Sequence, residues 1–284
     1  MRITMKLVAL AVALSASNAM ADGTTPPPSP TSTRQPVRAP LGVIKAVVVK
    51  SWGGGSGALV WDYLNSHWST YGPIPLFIDY SSLHEVAGFT LADLQNSAAD
   101  VVIVSDPAGG LDQWTPAEVA ALASYASQGH PLIGTYAMMQ YAPTDNRILA
   151  PLWGLRSDIA YNSSEVPSAP AAGILAPSNC LFDNIVDPLN QGGYPFVEVP
   201  ADDFSWDLAD LAGASFVARS ADGRNVVTTY TNGNLHACYI SYMPEFQPGN
   251  QFDATQYLYN AIVCQLGATP TVKSSWGRLK ATYR

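Results

Sequence analysis

Seven side chains in this sequence have the chemistry to hold a small polar molecule and a spacing that carries them to one place: Ser51, Trp52, Asp79, Ser105, Asp106, Tyr136 and Glu245. Each follows a short apolar run that reads as a β-strand, and in a parallel sheet the groups beyond the carboxyl ends of the strands share one crevice. Carboxylates and hydroxyls interleaved with aromatic faces suit a carbohydrate or another small polar ligand. The competing reading is that they are loop caps and hydrogen-bonded turn residues. Asp106 and Glu245 would serve as acid and base on a glycosidic bond if their carboxyls stood on the order of 5 to 9 Å apart.

Other chemistries find less support. His67, His84, His130 and His236 are the only histidines, and none makes a metal-ligand spacing with another or with a cysteine, so no metal site is expected. Asp202, Asp203, Asp207 and Asp210 cluster without the glycine and terminal glutamate of a calcium loop. A serine hydrolase using Ser56 or Ser105 would need a histidine at a strand's carboxyl end and a G-x-S-x-G elbow, and the sequence has neither. Gly53 to Ala58 fits Gly-x-Gly-x-x-Ala, but Ser51-Trp52 intervenes between strand and glycines, and the motif reads better as a tight turn than as a dinucleotide cradle. No cofactor is expected.

The elements that would position the seven residues are arranged around Asp100 to Tyr136. A strand, Asp100 to Val104, ends in the loop Ser105-Asp106-Pro107-Ala108-Gly109-Gly110. A helix follows from Thr115 to about Gln128, and a buried strand from Pro131 to Tyr136. Thr115 and Glu118 form a capping box, Pro116 fits the first turn, and Gly129 suits a left-handed close. Before this unit come a strand from Val43 to Lys50, a helix from Ala58 to Tyr71, a strand from Ile74 to Ile78 that leaves Asp79 at its carboxyl end, and a short helix from Thr90 with Asp93 closing a capping box. After it, Asn146 to Leu155 reads as a short helix or irregular cover, and Tyr161 to Pro177 as a loop. Phe196 to Val199 and Ser215 to Arg219 are short strands. Asn225 to Tyr230 and Leu235 to Tyr242 form a hairpin across an Asn-Gly turn. A helix capped by Asp253 and Gln256 closes at Gly267. Strands alternating with helices predict an α/β fold, a flavodoxin-like three-layer sandwich with a mostly parallel central sheet and an antiparallel edge hairpin.

Domain organisation and address follow from the ends. Arg2 and Lys6, the apolar run Leu7 to Leu14 and Ala19-Met20-Ala21 read as a secretory signal, residues 1–21, cleaved after Ala21. Residues 22–40 are a Pro-rich linker, 41–268 the folded domain and 269–284 a basic tail. Of the 14 basic residues, cleavage leaves 12 against 22 acidic ones, a formal charge of −10, which argues against nucleic acid as a partner. The expected location is secreted or periplasmic, with no membrane span after cleavage. Such a compartment permits disulfides, and Cys180, Cys238 and Cys264 allow one at most. The pair Cys238–Cys264 is favoured, with three reduced, buried thiols as the alternative.

The order of elements resembles the class I glutamine amidotransferase-like superfamily, and within it the ThuA-like proteins, over roughly Val43 to Leu266. The likeness rests on Val101–Val104 and its loop, on Tyr125-Ala126-Ser127-Gln128-Gly129 before Pro131-Leu132-Ile133-Gly134, on Cys180-Leu181-Phe182-Asp183 and on Tyr259-Asn260-Ala261-Ile262. Catalytic members carry a cysteine nucleophile on a sharp elbow and a His-Pro-Glu segment after a later strand. Here the elbow reads Gly134-Thr135-Tyr136-Ala137-Met138, and the later segment Tyr242-Met243-Pro244-Glu245. Tyr136 stands for the cysteine and Met243 for the histidine, and only Glu245 remains.

The resemblance therefore implies a domain without glutaminase activity. The first expectation is an exported, non-catalytic domain that binds a small polar ligand or a protein partner. The alternatives are a ThuA-like carbohydrate-active enzyme working through the rim carboxylates, and a structural or surface-display module.

Overall fold

A computed structural model describes residues 42–51, 60–84, 86–105, 113–141, 144–165, 173–174, 180–182, 196–200, 212–219, 225–241 and 254–267. All of them belong to one compact unit, Thr33–Arg284.

The first strand, β1 (Ile44–Val49), is a valine-rich run of the kind that survives only when both faces are covered. Helix α1 (Val60–Tyr71) leads to β2 (Leu76–Leu83), α2 (Leu91–Ser97) to β3 (Val101–Val104), and α3 (Pro116–Ser127) to β4 (Leu132–Thr135). Both predicted capping boxes form, at Thr90 with Asp93 and at Thr115 with Glu118. Two short strands, β5 (Gln140–Tyr141) and β6 (Thr144–Asp145), pair with each other and run into a 3₁₀ segment, Arg147–Trp153. Then come β7 (Tyr161–Glu165), β8 (Gly173–Ile174), β9 (Phe196–Pro200), β10 (Ser215–Arg219), β11 (Asn225–Asn232), β12 (Leu235–Ile240) and helix α4 (Ala254–Gly267).

Eight of these strands form one sheet in the order β2-β1-β3-β4-β12-β11-β10-β8. The first five run parallel and the last three alternate antiparallel, so the flavodoxin-like arrangement with an antiparallel edge is the observed one. Alternate residues of the parallel strands feed two cores. Ala46, Val48, Ile103, Ile133 and Ile240 pack under Trp61 and Leu64 of α1 and Leu258 and Ile262 of α4. Val47, Val49, Val104 and Tyr239 pack on the opposite face under Leu94, Leu122, Tyr125 and Trp153. No helix of the described residues is long and apolar enough to cross a membrane.

Three expectations are corrected. Strand β2 does not stop at Ile78 but runs to Leu83, which puts Asp79 inside the strand. The span from Val47 to Val49 on β1 lies opposite the span from Asp79 to Leu83, so β2 absorbs two extra residues in a bulge. Asp79 holds that bulge, its Oδ1 accepting the Ser81 and Ser82 N–H groups at 3.1 and 3.0 Å. Tyr161 to Pro177 is not all loop, because β7 pairs with β9 in a separate two-stranded sheet and β8 joins the edge of the main sheet. Finally, the disulfide joins Cys180 to Cys264, with Cα atoms 5.7 Å apart, and Cys238 is free. Cys238 points from β12 into the core, whereas the turn Cys180–Phe182 lies against α4, where the Leu181 carbonyl accepts a hydrogen bond from Asn260 at 2.9 Å.

The Asn-Gly hairpin is tighter than expected. Asn232 pairs directly with Leu235, which leaves Gly233 and Asn234 as the turn, and Gly233 takes φ +61° as a two-residue hairpin turn requires. The signal, linker, tail, Gly53 to Ala58 loop, Asp202 to Asp210 cluster and Asp253 cap all lie outside the described residues.

Candidate functional site

Register fixes what meets at the carboxyl edge. Val49 lies beside Val104, Val104 beside Gly134, and Thr135 beside Ile240. The next residues therefore fall in two successive rows across four neighbouring strands, Lys50, Ser105 and Thr135 level with Ile240 in the first and Ser51, Tyr136 and Ser241 in the second, with neighbours in a row on the order of 5 Å apart. Ser51, Ser105 and Tyr136 lie at this edge within one residue of each other in register, and all three are buried. Asp79 is not among them. It lies inside β2 beside Lys45, whose ammonium stands 3.4 Å from Oδ2. Burial pushes the Asp79 carboxyl up, but the N–H groups of Ser82 and Ser81 and the Lys45 charge outweigh it, and the net shift is downward. Trp52, Asp106, Met243 and Glu245 lie outside the described residues.

The sheet order places its switch point between β1 and β3, where α1 leaves for one face and α3 for the other. At its floor is an ion pair that no sequence pattern announces. Lys50 and Glu118 are essentially inaccessible to solvent, and the ammonium lies 3.0 Å from one carboxylate oxygen and 3.2 Å from the other. The same ammonium donates to the Gln113 carbonyl at 2.6 Å and sits 4.8 Å from the centre of the Trp114 ring. Glu118 also accepts the N–H of Gly88 at 2.8 Å and both the N–H and hydroxyl of Thr115, at 2.7 and 2.9 Å. Burial raises the Glu118 carboxyl, yet these donors hold it below the ordinary glutamate range. Lys50 reaches the pair by turning at φ +46°, an uncommon backbone conformation for a lysine. Both charges are saturated by protein groups, so the pair positions the segments before α2 and α3 rather than transferring protons.

The elbow after β4 has its own geometry. The residue in the left-handed region is Ala137, at φ +56°, one position beyond Tyr136. The Met138 N–H bonds the Thr135 carbonyl at 3.4 Å, and the chain enters the β5/β6 hairpin, not a helix. Gly134 is needed beneath this turn, because a Cβ there would collide with Met138 and Trp153. Asn146, after β6, ties the turn to the front of α3. Its side-chain oxygen accepts the Trp114 N–H at 2.9 Å, and its own N–H bonds the Met139 carbonyl at 2.8 Å.

Ser241 is the other residue the sequence did not single out. It is fully buried at the end of β12, and among the described residues its hydroxyl has no hydrogen-bond partner. The available signal was its place directly after a buried strand, immediately before the Tyr242-Met243-Pro244-Glu245 segment. Together these positions place buried hydroxyls at the carboxyl edge of the sheet. Among the described residues, no group of three His, Cys, Asp or Glu side chains converges as a metal site.

No family model matches the sequence, and no curated protein matches it. Among solved structures, a ThuA-like protein from Bacteroides uniformis superposes with a TM-score of 0.51 at 12% identity, covering 84% of this chain and 98% of that one. A ThuA-like protein from Parabacteroides merdae gives 0.43 at 10% identity, covering 80% and 92%. A GMP synthase component from Thermoplasma acidophilum gives 0.38 at 14%, covering 79% and 95%. The first of these carries the comparison: the chain is an α/β protein that shares its fold with a ThuA-like protein. At that identity the likeness concerns the fold alone.

Proposed function

We propose that this chain is an exported α/β domain that binds a small polar ligand or a protein partner at the carboxyl edge of its sheet, without cysteine-based hydrolysis. The elbow after β4 is the observation that carries this reading. A nucleophile elbow works by lifting a reactive side chain on a strained turn at the head of a helix, where the helix N-terminus favours the anion. Here the strained position holds Ala137, whose methyl group has no chemistry, the residue before it is a buried tyrosine, and a hairpin follows. Neither position supplies a thiol.

Two measurements on residues 22–284 test the reading. Incubation with glutamine is expected to release no ammonia above a protein-free blank, and sustained turnover by the purified chain would overturn the non-hydrolytic part. A thermal-shift screen against sugars, nucleotides and divalent ions is expected to find a compound that raises the midpoint, since a ligand of the native state stabilises by mass action. That shift should vanish when Asp106→Ala and Glu245→Ala are combined. A shift that survives the double substitution would move the site away from this edge.

A further inference from the structure

The Asn-Gly pair that turns the β11–β12 hairpin carries a reaction as well as a shape. A peptide nitrogen can attack the carboxamide carbon of the asparagine before it, and glycine hinders this least because it has no Cβ. Asn232-Gly233 is the one Asn-Gly pair in the sequence, and every other asparagine precedes a residue with a side chain. The fold leaves both reactants uncommitted. Asn232, Gly233 and Asn234 are exposed. Gly233 takes φ +61° and Asn234 is not among the residues of positive φ, which makes a type II′ turn. Its closing hydrogen bond joins Asn232 and Leu235 and leaves the Gly233 N–H out. That N–H enters none of the turn and loop hydrogen bonds of the described residues, and the Asn232 carboxamide makes none among them either. Other asparagine amides are already engaged: Asn65 bonds Ile78, Asn146 the Trp114 N–H, Asn260 the Leu181 carbonyl, and Asn234 the Ser127 carbonyl at 3.3 Å.

We infer that Asn232 is a site of self-modification, where the folded chain deamidates and thereby loosens the end of α3. The Gly233 nitrogen, deprotonated by hydroxide, attacks Cγ of Asn232. A C–N bond forms, the Cγ–Nδ2 bond breaks, and ammonia leaves after taking a proton from water, which returns the hydroxide. Water then opens the resulting succinimide at either carbonyl. One opening gives aspartate at position 232, and the other gives isoaspartate, whose main chain runs through Cγ and is longer by one carbon. No electrons change hands, and water is the only co-reactant. Ring closure takes Asn232 out of its extended conformation, which opens only the last pair of the β11–β12 ladder, a local fraying that costs far less than unfolding. The lengthened main chain no longer fits the tight turn. Asn234 in that turn donates to the carbonyl of Ser127, the last residue of α3, so the isoaspartyl product releases a terminal carbonyl of the helix.

Peptide mapping by mass spectrometry of the full chain, held folded at neutral and at mildly alkaline pH, tests this, with an isoaspartyl methyltransferase as the probe for isoaspartate. The mass shift of an amide turned acid is expected on the peptide holding Asn232, ahead of every other asparagine, divided between aspartate and isoaspartate and faster at the higher pH. Asn232→Gln, whose longer side chain closes a ring poorly, should lose the shift. Asn234→Ser, which unties the turn from Ser127, should speed it. Hydrogen exchange reads the consequence: amides in the last turn of α3 should exchange faster in the isoaspartyl fraction than in the parent, whereas Asn232→Asp should keep the parent's rates. The inference is overturned if the folded chain shows no shift at Asn232 over a period in which the urea-unfolded chain converts there, if other asparagines convert as fast, or if the isoaspartyl fraction exchanges like the parent. Should a variant not yield a folded chain, the parent's own peptide map and exchange decide.

Discussion

At the scale of single residues, the strongest constraint is the buried pair of Lys50 and Glu118. Breaking a buried pair from one side strands a charge in a low-dielectric interior, so Lys50→Met or Glu118→Gln should each lower unfolding free energy by about 3 to 5 kcal/mol in urea titrations. The pH dependence has a definite sign. Because the Glu118 carboxyl is held below its ordinary range, its contribution is present above the pKa of an unfolded glutamate and is lost as pH falls through the folded value. Glu118→Gln should therefore be less stable near neutrality and show a shallower loss of stability on acidification below that range. A parallel acid limb in parent and variant would assign the effect to packing alone. Cys238 gives a second residue-scale test. Its thiol is buried in the core and burial pushes its pKa up to about 12, so iodoacetamide should leave it unmodified in the native chain and alkylate it in urea. Glu118 was legible in the sequence as a capping residue because that pattern is local. Its partner 68 residues away was not, since no spacing rule connects the end of one strand with the first turn of a helix two strands later.

Elements were legible where their signals are local and lost where a distant partner decides. Thr90 and Thr115 announce their helices through capping boxes, and Gly233 announces its hairpin. Strand β7 carries Asn162-Ser163-Ser164, a poor strand composition, and exists because β9, far along the chain, pairs with it. The disulfide followed the same logic. Strand and helix assignments favoured Cys238, but only the tertiary fold brings Cys180 to α4. Closing a loop with a sequence separation of 84 removes about 4.5 kcal/mol of freedom from the unfolded chain on the loop-entropy account. Reduction, or Cys180→Ser with Cys264→Ser, should lower stability by up to that amount. Cys238→Ser, which introduces a hydroxyl into an apolar core without touching the bridge, should leave the effect of reductant unchanged. A chain whose urea midpoint does not move on reduction would show that the 180–182 turn contributes nothing to the stability of α4.

For the whole molecule, the sheet is asymmetric in a way that predicts how it opens. Strands β1, β3, β4 and β12 have both faces buried, with Val47, Val48, Ile103, Ile133 and Tyr239 divided between two cores. The far edge is built differently: β8 has two residues, and β10 meets β11 with register shifts at Phe216 to Ala218 and again at Arg219. This difference was readable in outline, since the central strands are continuous apolar runs and the edge strands are not. It could not be read quantitatively, because the stretch between β4 and β12 holds β5 to β11 in an order that pairing decides. Local stability should follow two-sided burial. Amides of β1, β3, β4 and β12 are expected to exchange only through global unfolding, with one common free energy that falls with urea at the full slope. Amides of β8 and β10 should exchange through smaller openings that urea barely affects. If β10 instead exchanged in step with β12, the antiparallel half would be part of the same cooperative unit, and the edge would owe its stability to the strand ladder rather than to the two cores.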